Sequence, residues 1–168
     1  MAHLVLSVVG EDRAGLVNAL ADTVAAHGGN WERSELTELA GAFAGIVLVT
    51  VPDERADELT EALRSLDALL RVTAHSGAVP AAPAGRTLSF TVLGNDRPGI
   101  VRDVTAAVSS HALSIDAFTS RTLDAPMAGG TLFEATVTVR VPEHSDAAPI
   151  VAALERLADE IQVDLSLG

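Results

Sequence analysis

Cysteine is absent from the 168 residues, which removes disulfides, thiolate metal sites, iron–sulfur clusters and cysteine nucleophiles together. Lysine is missing too, all eleven basic residues being arginine. There is then no side chain for a Schiff base, for pyridoxal phosphate in its usual linkage, or for the phosphate contact of a P-loop. Without tyrosine, the acid–base groups that remain are histidines and carboxylates. Positive charge is scarce: the formal net charge is −12, spread along the chain, and a surface of that sign repels phosphate backbones. Direct nucleic-acid binding is not expected, and any role in gene control would run through a protein partner. No apolar run approaches the roughly 20 residues of a membrane helix. The opening Met-Ala-His-Leu-Val-Leu-Ser lacks the basic start and long apolar stretch of a signal peptide, so the predicted location is cytoplasmic, away from any membrane.

What the chain does contain is a core and a repeat. Hydrophobic residues make up 48% and charged residues 20%, a balance that supports packed domains rather than disorder. Gly10-Glu-Asp-Arg-Ala-Gly-Leu-Val17 returns as Gly94-Asn-Asp-Arg-Pro-Gly-Ile-Val101 at an offset of 84. The offset holds on either side: Leu4, Leu6 and Val8 match Leu88, Phe90 and Val92, while Leu20, Val24 and His27 match Val104, Val108 and His111. Further on, Phe43 to Pro52 matches Phe133 to Pro142 at an offset of 90, so the second copy carries six more residues, expected between Asp124 and Gly130. A duplicated supersecondary unit explains all three matches. Small residues and two prolines between the copies read as a linker. The expected domains are 1–76 and 86–168, with 77–85 between them.

Periodicity assigns the same elements to each copy. Alternation over 3–9 predicts a strand, and Leu16, Val17, Leu20 and Val24 give one apolar face to a helix over 14–27, stopped by Gly28-Gly29. Strands follow at 30–39 and 42–51 around an Ala40-Gly41 turn. A second helix opens at Pro52-Asp53-Glu54 with Asp53 as its cap and buries Leu59, Ala62, Leu63 and Leu66; a strand at 69–75 closes the unit. The second copy reads 87–93, 98–111, 114–123, 131–141, 147–160 and 161–167. Strand, helix, strand, strand, helix, strand is the α+β, ferredoxin-like βαββαβ arrangement, with an antiparallel sheet and helices on one face. Its outer sheet face differs between copies: Val5, Ala44, Ile46, Leu48 and Thr50 in the first, against Glu134, Thr136, Thr138 and Arg140 in the second. The aliphatic face is expected to be covered by a partner.

The turn between the first strand and first helix carries the candidate chemistry. Gly15 and Gly99 admit a close approach to the backbone, or a conformation that other residues resist. The helix start offers unpaired N–H groups and partial positive charge, which suits a carboxylate. Asp12 or Asp96, or the amide of Asn30, supplies an acceptor for an ammonium, and together the two receivers complement a free amino acid. An ordinary structural explanation stands beside this one: Asp before a helix is an N-cap, and Pro98 pre-sets a first turn. His27 and His111 suit the negative ends of their helices. His3, His75 and His144 have no metal-ligand spacing, and Ser109, Ser110 and His111, as helix neighbours, cannot form a nucleophile with its base. No catalytic residue, metal or cofactor is expected.

Asp-Arg-Pro-Gly-Ile-Val after a short strand in a βαββαβ layout resembles the ACT domain family of amino-acid sensors; the first copy, Asp-Arg-Ala-Gly-Leu-Val, departs at Ala14. Two such modules are similar to the tandem-ACT group of transcriptional regulators of amino-acid (glycine) metabolism. The resemblance implies amino-acid binding at a domain–domain interface near this turn and the start of the second strand. Carried over by position, it implicates Asp12, Arg13, Ala14, Gly15, Leu16 and Asn30, and in the second copy Asp96, Arg97, Pro98, Gly99, Ile100 and Ser114. Ser114 stands where the family often has asparagine and is shorter, so the first copy is expected to be the better site. The resemblance also implies a homodimer or higher homo-oligomer. The expected function is a non-enzymatic regulator that senses a small amino acid and alters contact with a regulated protein partner. Alternatives are an assembly module, or a regulatory subunit of a metabolic enzyme, without ligand binding of its own.

Overall fold

The computed structural model describes residues 1–78, 85–111, 113–125, 129–142, 148–156 and 161–167. It divides into two compact units, Met1–Ala81 and Ala82–Gly168. Most of the expected linker, part of the expected insertion between Asp124 and Gly130, His144 and the 157–160 end of the last expected helix lie outside the described residues.

The first unit runs β1 (Ala2–Glu11), α1 (Leu16–Ala26), β2 (Asn30–Leu39), β3 (Ala42–Val51), a single 3-10 turn (Asp53–Arg55), α2 (Ala56–Arg64) and β4 (Arg71–Ser76). The second repeats it as β5 (Arg86–Asn95), α3 (Ile100–Ser109), β6 (Ser114–Asp124), β7 (Thr131–Val141), α4 (Ala148–Glu155) and β8 (Ile161–Leu167). The sheets have the strand orders β2-β3-β1-β4 and β6-β7-β5-β8, and every pairing is antiparallel. This is the α+β ferredoxin-like fold, built twice.

Alternation drives the cores. In β1, Leu4, Leu6 and Val8 are buried, and they meet Val47, Val49 and Val51 of β3, Leu16, Leu20 and Val24 of α1, and Leu59 and Leu63 of α2. Burying each such side chain contributes about 1.5–3 kcal/mol. Leu88, Phe90 and Val92 play the same part in the second unit, against Ile100, Val104 and Val108. Helix α1 stops as its glycines predict: the N–H of Gly28 donates to Ala25 and that of Gly29 to Val24, the paired bonds of a Schellman ending. The Arg55 guanidinium adds a bond to the Ala26 carbonyl. His27 lies at this end, its Nδ1 2.8 Å from the Thr23 carbonyl oxygen.

Local details differ from the sequence reading. Asp53 does not cap α2: Pro52 opens the 3-10 turn without a side-chain cap bond, and the Asp53 carboxylate receives the Met1 ammonium at 2.7 Å. Thr50, expected on the open outer face, is buried. On that face Ile46 is 52% exposed, while Val5 and Leu48 are half-buried. In the second unit the corresponding face is laced by Arg121–Glu134, Arg140–Asp116 and Ser89–Thr138 contacts.

Candidate functional site

Helices α1 and α3 both begin later than periodicity suggests, at Leu16 and Ile100, because the residue before each is a glycine in the left-handed region. Gly15 has φ 92° and Gly99 φ 87°, values that cost an L side chain about 1–2 kcal/mol. The glycines therefore serve the backbone turn itself. Neither helix has a side-chain cap, which overturns the reading of Asp12 and Asp96 as N-caps. These aspartates anchor through their backbones, the N–H of Asp12 donating to Gly41 at 2.9 Å and that of Asp96 to Thr131 at 2.8 Å. Pro98 sits in the turn, two residues ahead of the helix rather than within its first turn.

Asp12, Arg13, Ala14 and Gly15 are exposed, as are Asp96 and Pro98. Leu16 and Ile100 are buried in the cores, and the N–H of Ile100 donates to the Arg97 carbonyl oxygen at 3.3 Å. Arg13 turns toward its own unit and donates to the carbonyl oxygens of Ala68 and Leu69 at 3.0 and 3.3 Å. The two openings then differ. A Cβ placed on Gly15 would meet nothing within 4 Å, whereas one on Gly99 would lie 3.2 Å from the Arg102 guanidinium. Arg102 bonds Asp103 through Nε and Nη2 at 3.1 and 3.0 Å, and Arg97 reaches the other carboxylate oxygen at 2.8 Å. The hydrogen bond from Arg97, then that from Arg102, hold the Asp103 carboxyl below the usual carboxylate range. The first unit has Asn18 and Ala19 at these positions and no such cluster.

The sheet register separates Asn30 from the turn. Asn30 pairs with Thr50, and Thr50 with His3, at the start of β1; the turn follows the end of β1, where Glu11 pairs with Ala42 and Ala42 with Leu39. Eight residue steps along the strand separate those levels, about 26 Å. Within one unit, Asn30 and Gly15 thus stand at opposite ends of the sheet. Ser114 is separated from Gly99 in the same way, since it pairs with Arg140, and Arg140 with Thr87. A signal for this lay in the order of elements: a helical crossover between parallel strands returns the chain to the end where it began.

Just past each strand start is a matching irregularity, between Trp31 and Arg33 in β2 and between Ile115 and Ala117 in β6. The extra residues are Glu32 and Asp116, and such bulges re-aim side chains. Asp116 is held by Arg140 of the neighbouring strand. Thr50, at the level of Arg140, offers Glu32 no charge. Sequence reasoning missed Arg102, Asp103, Asp116 and Arg140, because their pairing across strands and turns leaves no periodic trace. Among the described residues, no three His, Asp or Glu side chains gather as metal ligands, and no helix is long and apolar enough to cross a membrane.

Two antiparallel sheets, each entered by an uncapped helix behind a left-handed glycine, define a tandem α+β protein with paired polar openings. Residues 2–76 and 88–159 each match the ACT domain, and the chain belongs to the ACT domain family. Over 170 residues it is 29% identical to the glycine cleavage system transcriptional repressor of Escherichia coli (strain K12), covering 99% of this chain and 89% of that protein. The Shigella flexneri protein of the same name matches equally. Among solved structures, an unknown protein from Galdieria sulphuraria superposes with a TM-score of 0.88 at 31% identity, covering 99% of this chain and 98% of that one. A crystal structure provisionally described as a glycine cleavage system transcriptional repressor gives 0.70 at 18% identity with the same coverage, a likeness of fold alone.

Proposed function

We propose that this chain is a non-enzymatic regulator that binds a small amino acid at the opening of α1 and thereby changes its contact with a partner protein, in transcriptional control of amino-acid (glycine) metabolism. The observation that carries the reading is the opening at Gly15: uncapped, exposed and with nothing over it. The first N–H groups of a helix are donors without intrahelical acceptors, and with the helix dipole they favour a carboxylate. The ammonium needs an acceptor. Asp12 is adjacent; Asn30 belongs to the same site only when it comes from a second ACT module, since its own stands about 26 Å away along the strands. Two modules related by a two-fold axis perpendicular to their strands bring the end of one sheet beside the start of the other, which makes the ligand part of an interface between copies of the chain. Such a ligand favours one arrangement over another through differential affinity. The relatives named as repressors of the glycine cleavage system support the choice of regulated process.

The test is a thermal-shift and calorimetric screen of the full chain against the twenty amino acids. A ligand bound only to the folded state raises stability with the logarithm of its concentration above Kd, and glycine or another small amino acid is expected to do so. Gly15→Val should abolish the effect, because the side chain fills the open space over the helix start; it also strains the left-handed turn by about 1–2 kcal/mol, a cost read separately by unfolding of the first unit. Silence toward all twenty amino acids would overturn the reading in favour of an assembly module.

A further inference from the structure

We infer that the open sheet face of the first module binds the same face of a second copy of the chain, about a two-fold axis that lies between the faces and crosses the strands. The contact stands independently of the amino-acid reading, because α1 and α2 pack with the core on the other side of the sheet.

Strand register fixes what this face presents. Across β1 and β3, Val5 stands beside Leu48, Ser7 beside Ile46 and Val9 beside Ala44. Ile46 is 52% exposed and Val9 47%, while Val5, Ala44 and Leu48 are half-buried. Ser7, the polar member of this patch, donates its hydroxyl to the Thr73 carbonyl oxygen at 3.4 Å. Covering the patch therefore strands no hydroxyl without a partner. The matching levels of the second module carry Ser89 beside Thr138 and Thr91 beside Thr136, with the Ser89 and Thr138 hydroxyls 2.8 Å apart. That face suits water, and the first does not.

Charge selects the occupant. Arg33 of β2 is level with Leu48, and Glu35 is level with Ile46; both are exposed and bond each other at 3.2 Å. A two-fold axis across the strands, passing between these two levels, sets each level of one copy against the other level of its mate. Arg33 then meets the partner's Glu35, Leu48 meets the partner's Ile46, and symmetry makes each contact twice. At the far edge Arg71, level with Val9, is carried to the opposite end from its symmetry mate, so the two do not repel. An axis along the strands would instead set Arg33 against the partner's His75 and Glu35 against the partner's Thr73, matching no opposite charges. The face is thus self-complementary in one orientation.

Its size sets the strength. Strands about 4.8 Å apart and side-chain levels about 7 Å apart give a four-stranded face of roughly 20 by 25 Å. Two such faces cover on the order of 1,000 Å², at the threshold of specific association. The pair is therefore reversible, with a dissociation constant in the micromolar range. The aliphatic centre supplies the attraction and the exposed charges the orientation.

The experiment is sedimentation velocity of the full chain over a range of concentrations, with circular dichroism reading the fold of each protein separately. Wild type should self-associate, and Ile46→Glu should weaken association at least about tenfold. Arg33→Glu and Glu35→Arg should each weaken it several-fold, since each opposes like charges twice. The double exchange Arg33→Glu with Glu35→Arg should return it close to wild type. An equal mixture of the two single charge variants should associate more tightly than either alone, because an acidic rim then meets a basic one. A wild type that stays monomeric up to about 100 μM, where a micromolar pair is nearly complete, would overturn the inference. Association that Ile46→Glu leaves unchanged would also overturn it, by placing the contact on another surface. Association lost in Ile46→Glu but indifferent to the charge variants and their mixture would overturn the two-fold orientation, and with it the self-complementary pairing.

Discussion

Arg13 holds Leu69 by its backbone: the guanidinium donates to the Leu69 carbonyl oxygen at 3.3 Å and to that of Ala68 at 3.0 Å. The residue sits in the repeated turn, yet its side chain serves the loop between α2 and β4. The space behind that contact is tight, since a Cβ on Gly10 would approach the Leu69 oxygen to 2.9 Å.

Arg13→Ala should therefore lower the stability of the first unit by about 1 kcal/mol, at the modest end for charged hydrogen bonds because the contact is exposed. Amino-acid affinity should change less than about threefold, under 1 kcal/mol by the usual conversion. Urea unfolding reads the first effect and calorimetry the second; a large loss of affinity at unchanged stability would return Arg13 to the ligand.

The separation of Gly15 from Asn30 makes a mixing experiment decisive. Gly15→Val and Asn30→Ala chains should each bind weakly or not at all alone. Equal mixing should restore about a quarter of the wild-type sites, because half the two-fold dimers are mixed and each carries one intact opening beside one intact Asn30. A mixture no better than its components would place both residues' contributions within one chain or away from the ligand.

Gly45 is the most constrained glycine of the first sheet. A Cβ there would come within 2.0 Å of the Glu35 carbonyl oxygen and 2.9 Å of the Leu36 backbone, although Ala135 occupies the matching place in the second unit. Gly45→Ala should cost about 1–3 kcal/mol, the range for overpacking that forces a backbone shift. Denaturant unfolding that shows the first unit unchanged would refute the close approach.

Asp103 gives the second unit an acid-sensitive step. Its carboxyl is held below the usual range by Arg97 and then by Arg102, so it is a stronger acid folded than unfolded. The stabilisation is complete above the ordinary aspartate value of about 3.9 and is lost as pH falls through the depressed folded value. Asp103→Asn should remove that part of the pH dependence, and added salt should weaken it in wild type. Parallel pH profiles of unfolding for the two proteins would contradict the pairing.

The amino-acid sequence by itself determined the duplication, the βαββαβ order and nearly all the core. Those features are written in local periods: two for Leu4, Leu6 and Val8, about 3.6 for Leu16, Leu20 and Val24. The Gly28-Gly29 stop was legible because a helix end is chemistry of adjacent residues. The tertiary structure alone decided that Asp12 caps nothing, that Arg13 turns to the Ala68 and Leu69 carbonyls while Arg97 and Arg102 both hold Asp103, and that Asn30 lies at the far end of the sheet from Gly15. Each of these depends on which distant backbone or side chain a group meets. Such meetings are set by strand register and by the path of the crossover, and residue spacing along the chain carries no record of them.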